Sequence, residues 1–108
     1  MTPPQDRRFE PRSPANARAV VVAPGLELTG VIIDHSRTGL RLRLDRTLAL
    51  PARVQVIDIA RGVVLEAEVV WRKGHEAGLK QAGESSLRGL VPSRLAAARD
   101  AFLRAGGR

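Results

Sequence analysis

The stretch that decides the fold is Asp34–Leu44, D-H-S-R-T-G-L-R-L-R-L. Its second half alternates strictly, with a leucine at every other position and an arginine at each position between. Because successive side chains of a β-strand point to opposite faces, this alternation predicts a half-buried strand over Leu40–Asp45. The first half contains an aspartate, a serine and a glycine, which are residue types that form tight turns. The stretch therefore predicts a turn of pattern D-x-S-x-x-G that leads into a strand with one leucine face.

Further short apolar runs flank this strand on both sides. Upstream, Ala17–Ala23 and Leu26–Ile33 are separated only by Pro24-Gly25, which predicts a hairpin. Downstream, three more strands are predicted, over Arg53–Ile59, Val63–Trp71 and, more weakly, Glu76–Lys80. In the second of these, Trp71 falls on the same face as the apolar residues at 65, 67 and 69, which favours packing inside the fold over stacking on a ligand.

The periodicity changes after Ser93, where an alanine-rich segment begins. Leu95, Ala98 and Phe102 fall on one face of a predicted helix. Ser93 is expected to cap its start, and Gly106-Gly107 to end it. A chain of six short strands with tight turns and one terminal helix predicts a mainly all-β fold, an antiparallel six-stranded barrel followed by an α-helix.

The chain is expected to divide into three parts around a single domain. Residues 1–16 are rich in proline and polar groups and read as a flexible N-terminal arm. Residues 17–84 would form the barrel, and residues 85–108 the helix and tail. At 108 residues the chain has room for one modest core.

Composition excludes several classes of site. The chain has no cysteine, so disulfides and thiolate metal sites are absent, and its two histidines, His35 and His75, lack ligand spacing, so no metal is expected. No nucleophile–base arrangement is visible, which argues against an enzyme. There is no signal peptide and no apolar run long enough to span a membrane, so a cytoplasmic protein without membrane insertion is expected.

The charge is strongly basic and is carried almost entirely by arginine. Eighteen basic residues against eleven acidic ones give a net charge of +7, and the only lysines are Lys73 and Lys80. Arginine binds phosphate and guanine edges through two parallel hydrogen bonds, so the bias fits an anionic ligand. Replacement of lysine by arginine in a GC-rich genome explains the same bias equally well.

Two motifs carry the ligand hypothesis. The arm contains R-x-x-x-R, formed by Arg8 and Arg12 with Arg7 in front; on an extended arm the pair is at most roughly 13 Å apart. The turn contains D-x-S-x-x-G, formed by Asp34, Ser36 and Gly39. The arginines can bind phosphate, and the carboxylate can accept hydrogen bonds from the donors of a base edge. The two motifs together therefore suit a planar, anionic, guanine-bearing ligand. Taken separately, the motifs are typical of a basic terminus and an Asx-type turn.

Three neighbours are possible secondary ligand contacts. His35 and Arg37 lie inside the turn, and Arg41 lies on the polar face of the following strand. Each of them is also typical of a solvent-exposed side chain at such a position.

The two motifs in this order and spacing resemble those of the PilZ domain family, over about residues 6–81. The resemblance implies a six-stranded antiparallel barrel with a C-terminal helix, and a receptor for the bacterial second messenger cyclic di-GMP that needs no cofactor. It implies that Arg8 and Arg12 hold phosphate and one guanine edge, that Asp34 and Ser36 read the other edge, and that Gly39 shapes the turn. Arg7, just before the motif, would favour an intercalated pair of ligand molecules. The sequence departs from the family at Leu79-Lys80-Gln81, where a phenylalanine usually follows the glycine.

The resulting functional hypothesis is a single-domain receptor that changes its surface on binding cyclic di-GMP and signals to an unidentified effector protein, as a monomer or homodimer. One alternative is a PilZ-like protein-interaction module without nucleotide binding. Another is a small basic barrel that binds nucleic acid, but such barrels present stacking aromatics, and only 3% of this chain is aromatic.

Overall fold

The computed structural model describes residues 13–108 and shows a closed antiparallel β-barrel followed by a short helix. The strands run in the spatial order β1-β2-β3-β6-β5-β4. The elements are β1 Ser13–Ala23, β2 Leu26–His35, β3 Gly39–Leu44, β4 Arg53–Asp58, β5 Val63–Lys73, β6 Glu76–Ser86, a 3₁₀ turn at Ser93–Leu95, and α1 Ala96–Arg104. The predicted fold class is confirmed.

The barrel has an inner and an outer apolar face, and each forms its own core. The leucine face of β3 points inward and is at most 2% exposed, as the alternation predicts. On the outside, α1 covers an apolar strip that includes Val20 and Ile57. The helix buries the predicted face, with Leu95, Ala98 and Phe102 each at most 1% exposed. The helix therefore packs on the part of the outer surface that β1, β4 and β5 form.

Two strands are longer than the sequence predicts by four residues or more. β1 begins at Ser13, within the segment predicted to be a flexible arm, because Ser13 and Pro14 pair with the end of β2, ahead of a register shift between Pro14 and Ala17. β6 runs past its predicted end at Lys80 to Ser86, because its polar second half pairs with β5. Both extensions consist of residues without apolar alternation, so hydrophobic periodicity does not reveal them.

The start of the helix also differs from the prediction. Leu95, not Ser93, is the N-cap residue of α1, and its side chain offers no capping hydrogen bond. Ser93 instead begins the 3₁₀ turn that precedes the helix. The end is as predicted: Gly106 adopts a φ of 96°, and the Gly107 N–H donates to the Phe102 carbonyl at 2.8 Å. No helix within residues 13–108 is both long and apolar enough to cross a membrane.

Candidate functional site

The D-x-S-x-x-G stretch forms the tight connection between β2 and β3. The Ser36 N–H donates to the Gly39 carbonyl at 2.8 Å, and the Ser36 hydroxyl lies 3.4 Å from the same oxygen. Ser36 is only 8% exposed. The Gln81 N–H donates to the Thr38 carbonyl at 2.8 Å, which ties the turn to β6. The turn is therefore closed by its own hydrogen bonds and attached to β6.

Gly39 is required because another strand comes close to it, and not because of its own backbone conformation. Its φ is not positive, so its backbone conformation does not require a glycine. A Cβ at this position would lie 2.9 Å from the Leu79 carbonyl oxygen, closer than real Cβ contacts come. The close approach that requires glycine is thus that of the β6 backbone.

A β-bulge in β2 places Asp34 on the outer surface. Ile32 pairs with Leu42 and Asp34 pairs with Arg41, so Ile33 is the additional residue. Without the bulge, the period of two would put Asp34 on the same inward face as Ile32. Outside the barrel, the Asp34 carboxylate lies 3.2 Å from Arg41 Nε, and its side chain keeps 15% of its surface exposed. This position combines a carboxylate that is largely shielded from water with access from outside.

A second bulge, in β5, turns Trp71 outward and corrects the predicted position of this residue inside the barrel. Val69 pairs with Leu79 and Trp71 with Gly78, so Val70 is the additional residue. Trp71 is 42% exposed. Its indole lies against Gly78, where a Cβ would come within 2.0 Å of Nε1. The bulge and the glycine together lay an aromatic side chain along the outer face of the sheet.

Strand pairing joins these side chains into one row across the outside of the barrel. Asp34 pairs with Arg41, Arg41 with Gly78, and Gly78 with Trp71, on β2, β3, β6 and β5. A cavity of about 440 Å³ lies over this row, and Lys80 and residues of the turn also line it. A wider cavity of about 980 Å³ adjoins it and shares Arg41 and Trp71. The surface offers a carboxylate, a flat aromatic ring and cations, which is the chemistry a planar anionic ligand needs.

The possible secondary contacts differ in how free they are to meet a ligand. His35 Nε2 lies 3.1 Å from Gln81 Oε1, so its ring is held toward β6. Arg37 is exposed at the tip of the turn. Arg41 lies between Asp34 and Glu76, whose carboxylate is 3.9 Å from Arg41 Nε.

The predicted arginines of the arm, Arg7, Arg8 and Arg12, lie outside the described residues. The point at which the chain enters the barrel is described, because Ser13 pairs with His35 and Pro14 with Asp34. The described part of the chain therefore enters the barrel beside the D-x-S-x-x-G turn.

Two members of this surface were not assigned to the site from the sequence. The alternation of β5 predicts Trp71 inside the barrel, and Lys80 belongs to neither ligand motif. Gly78 on the paired strand is the one available signal for Trp71, since a glycine in a strand often marks close approach by another group. Within residues 13–108, no cluster of three histidine, aspartate or glutamate side chains could hold a metal ion.

Comparison with known proteins gives a family but no individual relative. The family model described as PilZ domain matches residues 6–91, which include both motifs and the complete barrel. No curated protein and no solved structure matches the chain.

Proposed function

Because the chain belongs to the PilZ domain family, we propose that it is a receptor for cyclic di-GMP that binds the dinucleotide on the outer row of the barrel. The single observation that carries this proposal is the pairing of Ser13 with His35 and of Pro14 with Asp34. This pairing makes the chain enter the barrel at the turn, so that one ligand can touch both motifs.

Each residue of the row then has a role that follows from its position. Asp34 accepts hydrogen bonds from the N1–H and the amino group of a guanine, because its carboxylate is on the outer surface and largely shielded from water. Trp71 stacks on a base, because its ring is exposed along the sheet surface. Ser36 and Gly39 keep the turn in place, because both are buried in contacts with the chain itself.

The arm supplies the cations. Arg8 and Arg12 bind phosphate and the O6 and N7 edge of guanine, for which the planar guanidinium offers matched pairs of donors. Arg7 belongs to the same group of cations and favours a second, intercalated ligand molecule. The site binds without chemical conversion, so cyclic di-GMP incubated with the protein should be recovered intact.

The output of the receptor is a composite surface of arm, ligand and barrel, which an effector protein reads. The ligand binds this surface only when the arm lies over the turn, so binding shifts the population toward that arrangement. Cross-linking of the arm to the barrel should therefore increase when cyclic di-GMP is added.

Calorimetric titration with cyclic di-GMP tests the barrel side of the site. Asp34→Asn should weaken binding about ten- to a hundredfold, because it removes charge-assisted hydrogen bonds worth roughly 1.5–3 kcal/mol. Asp100→Asn is the matched control, since Asp100 is exposed on α1 and the change in charge is the same. Equal affinities of the two variants would contradict the role of Asp34.

The same titration tests the arm. Arg12→Ala should weaken binding by a similar factor, whereas Arg46→Ala, which removes an exposed arginine beyond the other end of β3, should leave it nearly unchanged. If the wild-type protein binds no cyclic di-GMP at all, the proposed receptor function is wrong.

A further inference from the structure

Lys80 lies on β6 beside the turn, on the side away from β1. It pairs with Gly39 on one neighbouring strand and with Glu68 on the other, and its side chain is exposed. It lines the same 440 Å³ cavity as Asp34 and Trp71. An ammonium group on this four-carbon stem can therefore reach a ligand that lies on the row.

Lys80 also has its charge available. The other cation that lines this cavity, Arg41, is held between two carboxylates, those of Asp34 and Glu76. Within residues 13–108, by contrast, Lys80 forms no ion pair, although Glu68 is its cross-strand neighbour. In this cavity the charge of Arg41 is therefore largely balanced by carboxylates, whereas the charge of Lys80 is available to a bound anion.

A ligand with two separate phosphates would suit the two sides of the turn. The arm enters on the β1 side of the turn, where Ser13 pairs with His35, and Lys80 lies on β6, on the other side of β3. A cyclic dinucleotide carries a phosphate at each of two opposite edges of its ring. One phosphate faces the arm, and the other can face β6.

We infer that Lys80 is a phosphate-binding residue of this site and that it holds the phosphate of cyclic di-GMP that faces away from the arm. The inference rests on the proposed function, since it assigns the second phosphate of the same ligand. It makes the barrel itself, and not only the arm, a source of positive charge for binding.

The chain provides a matched control, because its only other lysine is Lys73. Lys73 is also exposed, but it lines the adjoining cavity and not that over the turn. In calorimetric titrations Lys80→Ala should weaken binding of cyclic di-GMP about three- to tenfold, and the loss should shrink at high salt. Lys73→Ala should change the affinity less than twofold, although it removes the same charge.

A second measurement reports on Lys80 without any substitution. Reductive methylation with ¹³C-formaldehyde labels the two lysines and the terminal amine while keeping the positive charge, and the two variants assign the signals. Cyclic di-GMP should shift the Lys80 dimethylammonium signal and should leave the Lys73 signal in place.

The outcomes separate this inference from the proposal on which it rests. No heat and no shifted signal for the wild-type protein would remove the receptor function itself. Binding that is equally strong in Lys80→Ala and Lys73→Ala, with no shift at Lys80, would keep the receptor function and overturn the role of Lys80. A loss confined to Lys80→Ala, together with a shift at Lys80, would support it.

Discussion

Asp34 lies on the outer surface of the barrel because of its neighbour Ile33. Ile33 is the additional residue of the β2 bulge, and it moves the carboxylate from the inner face to the outer face of the barrel. Inside, an ionised carboxylate would face the leucines of β3 and would cost several kcal/mol to bury. Outside, it meets Arg41 and remains accessible to a ligand.

Gly39 is predicted to be required for stability because of its distance to β6. Gly39→Ala should lower the free energy of unfolding by about 1–3 kcal/mol, since the Leu79 carbonyl oxygen is a backbone atom and must move. Gly83→Ala is the control, because a Cβ there would meet only Glu66 Cγ at 3.9 Å. Urea denaturation measures both. A Gly39→Ala protein as stable as Gly83→Ala would show that β6 yields easily at this point.

At the scale of the elements, the sequence predicts strands well and bulges poorly. β3 is readable because Leu40, Leu42 and Leu44 all face one core. The bulges at Ile33 and Val70 are single apolar residues in apolar runs, so their composition carries no signal, yet each decides which side of the sheet the following residue occupies. This is why the position of Asp34 outside was not derivable and why the prediction for Trp71 was wrong.

Helix α1 should contribute to stability through one large side chain. Phe102 is 1% exposed and packs against the outer strip of the barrel, so Phe102→Ala should cost about 3–5 kcal/mol. The adjacent Leu103 is 48% exposed, and Leu103→Ala should cost less than about 1 kcal/mol. Thermal unfolding followed by circular dichroism distinguishes the two. Similar losses would mean that α1 packs through a different face.

At the scale of the whole molecule, helix and site lie on different parts of the barrel surface. α1 covers an outer strip that includes Val20, Ile57 and Val64, on β1, β4 and β5. The row from Asp34 to Trp71 crosses β2, β3, β6 and β5. Both surfaces include a part of β5, and Trp71 lies farther along this strand than Val64. Among residues 13–108, α1 thus closes the outer hydrophobic cluster without packing on the row from Asp34 to Trp71.

This arrangement predicts that stability and binding can be separated by removing residues 1–12. The closed sheet and both hydrophobic clusters are formed by residues that follow this segment, so the shortened chain should unfold within a few degrees of the full chain. It lacks Arg8 and Arg12, however, and should lose cyclic di-GMP affinity by at least about a hundredfold, the combined effect of two charge-assisted contacts. Circular dichroism and calorimetry on the same preparation measure the two properties. A large drop in the unfolding temperature would assign the arm a structural role, and retained affinity would place the ligand on the barrel alone.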